Sequence, residues 1–238
     1  MALLSVEHVT RRFGGIVALD DVSLDADAGE IVGLIGPNGA GKTTVFNLIT
    51  RLYRPQAGDI RFQGSSLLRT PPYRVVHRGI ARTFQNVELF STMTVLENVL
   101  VGTHSRFHLR GGRRRALETL DYVGLGPLAR ARVRELPYGM QKRVELARAL
   151  ASGPSLLLLD EPAGGLSHEE VEELAGFVRR IRDDFDLTIV IVEHHMNLVM
   201  GVSDRVFVLS FGRRIAAGTP REVQQNRAVI EAYLGAGA

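Results

Sequence analysis

With 238 residues, 45% of them hydrophobic and 23% charged, the chain has a globular composition and can bury one sizeable core, or one core plus a subdomain. A net charge of +3 is too small to argue for nucleic acid as a partner, and the lack of cysteine excludes disulfides, thiolate catalysis and cysteine-ligated metal centres. No apolar run reaches the roughly 18 residues that span a bilayer, and residues 1–7 have neither the basic start nor the apolar length of a signal peptide, so a membrane role is expected to need another, spanning chain.

Residues 3–9 alternate loosely and read as a half-buried strand, and residues 16–24 as a second. Phe13 falls between them in an expected loop beside Gly14-Gly15, either as a stacking surface for a nucleobase or as a packed anchor, and periodicity by itself favours the anchor. The apolar run 31–35 then feeds Gly36-Pro37-Asn38-Gly39-Ala40-Gly41-Lys42-Thr43-Thr44, the phosphate-loop pattern G-x-x-x-x-G-K-[ST] between a strand and a helix expected over residues 43–50. Glycines let the backbone curl round an anion with its N–H groups inward, and the helix presents its positive end to the same phosphates. Lys42, one of only two lysines in the chain, adds a mobile charge, and the Thr43 hydroxyl suits a Mg²⁺ ligand because that ion takes hard oxygen donors. A nucleoside triphosphate site follows.

Residues 58–62 read as a turn and short strand, 73–78 as a basic helical segment after Pro71-Pro72, and 79–85 as a strand ending on Gln85. Gln85 offers a carbonyl to a metal and an amide to a water, or else is a solvated strand end. Residues 86–153 contain no defensible strand. There, Thr94-Val95-Leu96-Glu97 has the form of a capping box, residues 113–123 have helical apolar spacing, residues 136–139 break the pattern, and 140–150 read as a helix. The Arg113-Arg114-Arg115 run reads as a solvated helix face, ahead of the alternative of a contact for an acidic partner.

Residues 155–159 are a continuous apolar run followed by Asp160-Glu161, as for a strand buried on both faces. In a parallel sheet Asp160 would end near the phosphate loop, fit to hold Mg²⁺, and Glu161 would orient or deprotonate an attacking water. Ser167-His168-Glu169-Glu170 fits a capping box for a helix through Arg182, with Val171, Leu174, Phe177, Val178 and Ile181 on one face. The strand 187–192 ends at Glu193-His194-His195, where His194 is a γ-phosphate contact or an exposed histidine at a helix start. A hairpin about Gly212 and one terminal helix over 221–234 complete the chain.

In this order, the phosphate loop, the Gln-ended strand, the helical insertion, Leu136-Pro137-Tyr138-Gly139-Met140-Gln141-Lys142-Arg143, Asp160-Glu161 and the strand-end histidine resemble the ATP-binding subunit of an ABC transporter along essentially the whole chain. The resemblance implies an α/β fold: a P-loop NTPase (RecA-like) core with an N-terminal antiparallel β subdomain and an α-helical insertion. One domain would span 1–238, with the core in 1–85 and 154–238 and the helical part in 86–153. By motif it implies that Phe13 stacks on adenine, that the phosphate loop holds ATP, and that Thr43, Gln85 and Asp160 hold Mg²⁺. Glu161 would be the general base, His194 the switch histidine, and Leu136 to Gln141 the signature that closes over ATP in a second ATPase subunit. That subunit would be another copy or a related paralogue.

Two stretches depart from the family pattern. Pro137, Tyr138 and Met140 stand in a signature that is usually Leu-Ser-Gly-Gly-Gln, so the serine hydroxyl is missing while Gly139 and a helix N-terminus remain. Ser167 stands where an aspartate usually ends the dimer-contact loop. The phrases Arg82-Thr83-Phe84-Gln85-Asn86-Val87-Glu88-Leu89-Phe90, Glu161-Pro162-Ala163-Gly164-Gly165-Leu166 and Val229-Ile230-Glu231-Ala232-Tyr233-Leu234-Gly235 are most similar to branched-chain amino-acid importer ATPases and their urea and amide relatives. That similarity implies permease subunits docking on the segment from Asn86 to Thr94, an indirect solute-binding protein, no nucleic acid, and a peripheral place on the cytoplasmic face of the inner membrane. A lipid or lipopolysaccharide exporter ATPase is the alternative. A soluble ABC ATPase acting on DNA or ribosomes is disfavoured by the lack of a coiled-coil insertion or a second cassette.

Overall fold

The computed structural model describes residues 2–104 and 109–234, so Gly235 of the C-terminal phrase lies outside the described residues. The chain forms two compact units, Met1–Tyr73 with Ser167–Ala238, and Arg74–Leu166. The second unit therefore takes in two strands besides the helices of residues 86–153.

In the first unit, β1 (Leu4–Phe13), β2 (Ile16–Ala26), β4 (Ala57–Phe62) and β5 (Ser65–Ser66) form an antiparallel sheet in the order β2-β1-β4-β5. β1 alternates in burial from Leu4 to Glu7, as one apolar face requires, and the alternation breaks where the pairing register shifts between Val6 and Val9. Phe13 is not in a loop: it pairs with Ile16 across Gly14-Gly15, because two adjacent glycines make the tightest hairpin turn and leave both flanking residues in the strands. The second sheet of this unit holds β3 (Ile31–Ile35) between β8 (Thr188–Val192) and β9 (Arg205–Ser210), both parallel to it, with β10 (Arg213–Gly218) antiparallel at the edge. All five residues of β3 and of β8 are buried, the signature of strands covered on both faces.

Among its described residues this unit has five α-helices: α1 (Lys42–Ile49), α5 (His168–Phe185), α6 (Met196–Val202), α7 (Pro220–Gln225) and α8 (Arg227–Leu234). The expected Ser167 capping box is present, with Ser167 Oγ accepting from the Glu170 N–H and Glu170 Oε2 accepting from the Ser167 N–H. Val171, Val178 and Ile181 are buried on the expected face of α5, whereas Leu174 and Phe177 are only half-buried. The expected single terminal helix is two. Asn226 is extended, and its Oδ1 accepts from the Ala228 and Val229 N–H groups, so the asparagine stops one helix and caps the next.

In the second unit β6 (Ile80–Arg82) runs parallel to β7 (Leu156–Asp160), and β7 is buried throughout. The segment read as a basic helix is two 3₁₀ turns, Pro72–Arg74 and Val76–Arg78, stopped at Gly79 in the left-handed region (φ 97°). The strand expected over 79–85 ends at Arg82, because the chain then turns and the Phe84 N–H points to the Glu145 carboxylate instead of a strand. Among the described residues of 86–153 no strand forms beyond one isolated bridge, Thr94 to Arg132. Helices α2 (Val95–Thr103), α3 (Leu109–Tyr122) and α4 (Tyr138–Ala151) pack on one another through Val95, Val99, Ala116, Leu120, Val144, Ala147 and Leu150, all buried. α2 and α4 approach so closely at Gly102 that any Cβ there would collide with the Arg148 carbonyl. α4 opens at Tyr138, two residues before the expected start, since Pro137 is already extended as its N-cap.

Candidate functional site

In the first unit the chain leaves buried β3 and wraps residues 36–41 before α1. Gly41, at φ 104°, is the N-cap, and a Cβ there would sit 2.7 Å from the Ala18 carbonyl oxygen, so this step of the loop requires glycine. α1 has neither a capping side chain nor an acidic residue in its first turn, which leaves its N–H groups and positive end for an outside anion. Lys42 is only 6% exposed. Its Nζ donates to the carbonyls of Gly36 (2.7 Å) and Pro37 (3.1 Å), which holds the ammonium over the loop. Thr43, Asn38 and Gly39 are exposed.

Phe13 is half-buried and held on two sides. Tyr53 meets its ring edge-on with centroids 5.0 Å apart, and the Arg11 guanidinium lies 4.4 Å from the Phe13 centroid and 5.4 Å from that of Tyr53. The ring is thus both a packed residue and a pre-oriented one. At the end of β8, Glu193 is fully buried, and its Oε2 accepts from the N–H groups of His194 and His195, which fixes the turn into α6. The His194 ring is half-exposed and lies against His195 at 4.5 Å between centroids.

In the second unit, Gln85 and Glu161 meet: Gln85 Nε2 donates to Glu161 Oε2 at 2.8 Å. Glu161 adopts φ 47°, a left-handed conformation that costs a non-glycine residue about 1–2 kcal/mol. Lys142 secures it by donating to the carbonyls of Glu161 and Pro162, each at 3.1 Å. The helix carrying the signature residues is in this way tied to the strained peptide after β7. Asp160, 3% exposed, receives a 2.6 Å bond on Oδ2 from Arg82 Nη2. Its N–H donates to Thr83 Oγ1.

The residues expected to form the signature, 136–141, lead into the start of α4. Gln141 donates through its backbone N–H to the Pro137 carbonyl and through Nε2 to that of Leu136, tightening the first turn. No side chain caps this end, so its amides face outward like those of α1. Tyr138 (44%) and Met140 (39%) are exposed, and the Tyr138 ring lies beside Gly165.

Residues 84–90, which include Gln85, are gripped from two helices. Glu145 of α4 is 3% exposed and faces the N–H groups of Phe84 and Glu88 at 3.4 Å, while Arg148 Nη1 donates to the Glu88 carbonyl at 2.6 Å. Asn98 of α2 accepts from the Phe90 N–H and donates to the carbonyls of Phe90 and Thr94. Burial pushes the Glu145 carboxyl up, against the opposing pull of Arg148, and burial lowers the Arg148 guanidinium. Between these grips Phe84 (36%), Phe90 (48%) and Met93 (37%) stay exposed, an apolar patch on a clamped segment.

Sequence reasoning missed Arg82, Lys142, Glu145 and the Arg11–Tyr53 support of Phe13. For Lys142 a signal existed: among 29 basic residues only Lys42 and Lys142 are lysine, and both turn a compact ammonium onto backbone carbonyls.

The family model for ABC transporters matches residues 19–164, and that for the branched-chain amino acid ATP-binding cassette transporter matches residues 213–238. The chain is 42% identical to the high-affinity branched-chain amino acid transport ATP-binding protein LivG of Escherichia coli K12, over 98% of both chains. It is 39% identical to the corresponding protein BraF of Pseudomonas aeruginosa, again over 98% of both. A crystal structure of the ADP conformation of an ATP-binding cassette of an ABC transporter superposes with a TM-score of 0.89 at 30% identity, covering 99% of both chains.

Proposed function

Because this chain belongs to the ABC transporter family of ATP-binding subunits and is an ATPase, we propose that it energises import of branched-chain amino acids, or of a related small polar solute, from the cytoplasmic face of the plasma membrane. The observation that carries the solute class is the end-to-end match to LivG, with both chains covered to 98%. Among the described residues no helix is long and apolar enough to cross a membrane, so permease subunits would supply the spanning part. The exposed Phe90 and Met93, on a backbone fixed by Asn98, suit the segment from Asn86 to Thr94 as the surface those subunits press upon.

The chemistry follows from the geometry within each unit. The uncapped start of α1 and the Lys42 ammonium bind the β- and γ-phosphates, while Phe13, fixed by Tyr53 and Arg11, stacks on the adenine. Hard-oxygen donors of the kind Mg²⁺ takes are present in each unit: the exposed Thr43 hydroxyl in the first, and the Gln85 carbonyl oxygen and the Asp160 carboxylate in the second. That donor set fits the ion, which when bound neutralises phosphate charge. Gln85, donating to Glu161 through its amide nitrogen, keeps the carboxylate aimed, and Glu161 takes the proton of the attacking water. His194, with its turn fixed by Glu193, donates to the γ-phosphate. The uncapped start of α4 offers N–H groups to the γ-phosphate held by a second ATPase subunit, a copy of this chain or a paralogue, in place of the missing serine hydroxyl.

The test is reconstitution of the subunit in liposomes with the permease chains of a branched-chain amino acid importer. A solute-binding protein loaded with leucine, isoleucine or valine should raise ATP hydrolysis. Stimulation by lipid or lipopolysaccharide, with no response to any loaded binding protein, would replace import by export.

A further inference from the structure

Arg82 and Asp160 form a buried ion pair that the hydrolytic reading does not use. Arg82 ends β6 opposite Leu158 of β7, so Asp160, two residues on, projects from the same face and lies within diagonal reach. The side chains are 6% and 3% exposed, and Arg82 Nη2 donates to Asp160 Oδ2 at 2.6 Å. The guanidinium also lies 4.9 Å from the centroid of Phe84, one residue before Gln85. An arginine costs too much to bury without an anion, and a lone buried carboxylate is just as unfavourable; each is tolerable here because of the other. The carboxylate proposed to hold Mg²⁺ is therefore already charge-balanced by this chain alone.

We propose that Arg82 is a positioning residue that takes the place of the metal cation at Asp160 when no nucleotide is bound, and that its charge keeps a divalent cation off Asp160 until phosphates accompany it. The proposal rests on the reading of Asp160 as a metal ligand. By binding Oδ2, Arg82 orients the carboxylate so that Oδ1 remains for the metal. A second cation arriving alone meets one carboxylate that is shared with a fixed guanidinium, and the pair of positive charges repels. Nucleotide phosphates bring the negative charge that makes both cations acceptable. The metal would then enter as its nucleotide complex, and the site would not be filled by free cation.

The experiment uses the full chain without nucleotide and Mn²⁺ alone as the probe, read by loss of the free-ion electron spin resonance signal and by the thermal unfolding midpoint in chelator or in Mn²⁺. Wild type should show neither binding nor a midpoint shift at millimolar Mn²⁺. Arg82→Met should unfold at a lower temperature in chelator, recover part of that loss on adding Mn²⁺, and bind the ion at least about tenfold more tightly. Arg82→Lys, which keeps the charge, should behave as wild type. Arg82→Met combined with Asp160→Asn should lose the Mn²⁺ response. If Arg82→Met does not accumulate as folded protein, Arg82→Gln, which keeps a neutral donor for Asp160, carries the same expectation. Equal Mn²⁺ binding by wild type and both uncharged Arg82 variants, or a full response in the double variant, overturns the proposal. Asp160→Asn alone tests the underlying reading separately: weaker Mn²⁺·ATP binding upholds Asp160 as a ligand whatever Arg82 does, whereas unchanged binding removes it, and the proposal with it.

Discussion

Gln85 Nε2 donates to Glu161 Oε2 at 2.8 Å, joining two residues 76 positions apart in the sequence. Glu161→Gln keeps a carbonyl oxygen that can accept this bond but removes the carboxylate proposed as the base. Turnover should fall about 10²–10⁴-fold, with ATP affinity unchanged within about twofold, by steady-state hydrolysis and equilibrium binding. Near wild-type turnover would take Glu161 out of the base role.

Lys42→Ala removes both bonds to the Gly36 and Pro37 carbonyls and the charge over the loop. ATP affinity should drop about 10–100-fold, the worth of one hydrogen bond to a charged group. Titration with a fluorescent ATP analogue measures it, and an unchanged dissociation constant would move the phosphate site elsewhere.

Phe13→Ala removes the proposed stacking surface without touching residues 36–44. ATP binding should weaken by about 1–3 kcal/mol, whereas inorganic triphosphate should bind as before, and Phe13→Tyr should restore ATP. A parallel loss for both ligands would mean that Phe13 acts only by supporting the fold.

Glu145 sets a pH dependence of stability. Burial raises its folded-state pKa above the ordinary 4.5, so the folded chain holds the proton more tightly than the unfolded chain does. Its contribution is fully present below pH 4.5 and is lost as pH rises through the higher folded value. Glu145→Gln should flatten the urea-unfolding free energy across that window relative to wild type; an identical slope would show that Arg148 and the Phe84 and Glu88 amides already cancel the cost of burial.

Ser167→Ala should cost about 1 kcal/mol in urea unfolding, through loss of the bond from the Glu170 N–H. Ser167→Asp keeps an acceptor at the same place and should stay within about 0.5 kcal/mol of wild type. Equal losses in both would mean that the hydroxyl has another function than capping.

The sequence by itself carried whatever depends on neighbours along the chain. The glycine-rich loop between β3 and α1, the capping boxes at Thr94 and Ser167, and the buried strands ending at Asp160 and at Val192 are local patterns of residue type and period, and each forms where its pattern lies. Local reasoning failed where a distant partner decides. The strand through Gln85 stops at Arg82 because Glu145 draws the Phe84 amide away, and α8 separates from α7 because Asn226 caps it. Only the tertiary structure could show that Arg82 neutralises Asp160, that Lys142 holds the left-handed Glu161, and that Glu145 and Asn98 clamp residues 84–94. Buried charges and strained peptides are tolerable only with specific partners, and those partners come from other strands and helices. Their choice depends on how the elements pack, which periodicity along one segment does not encode.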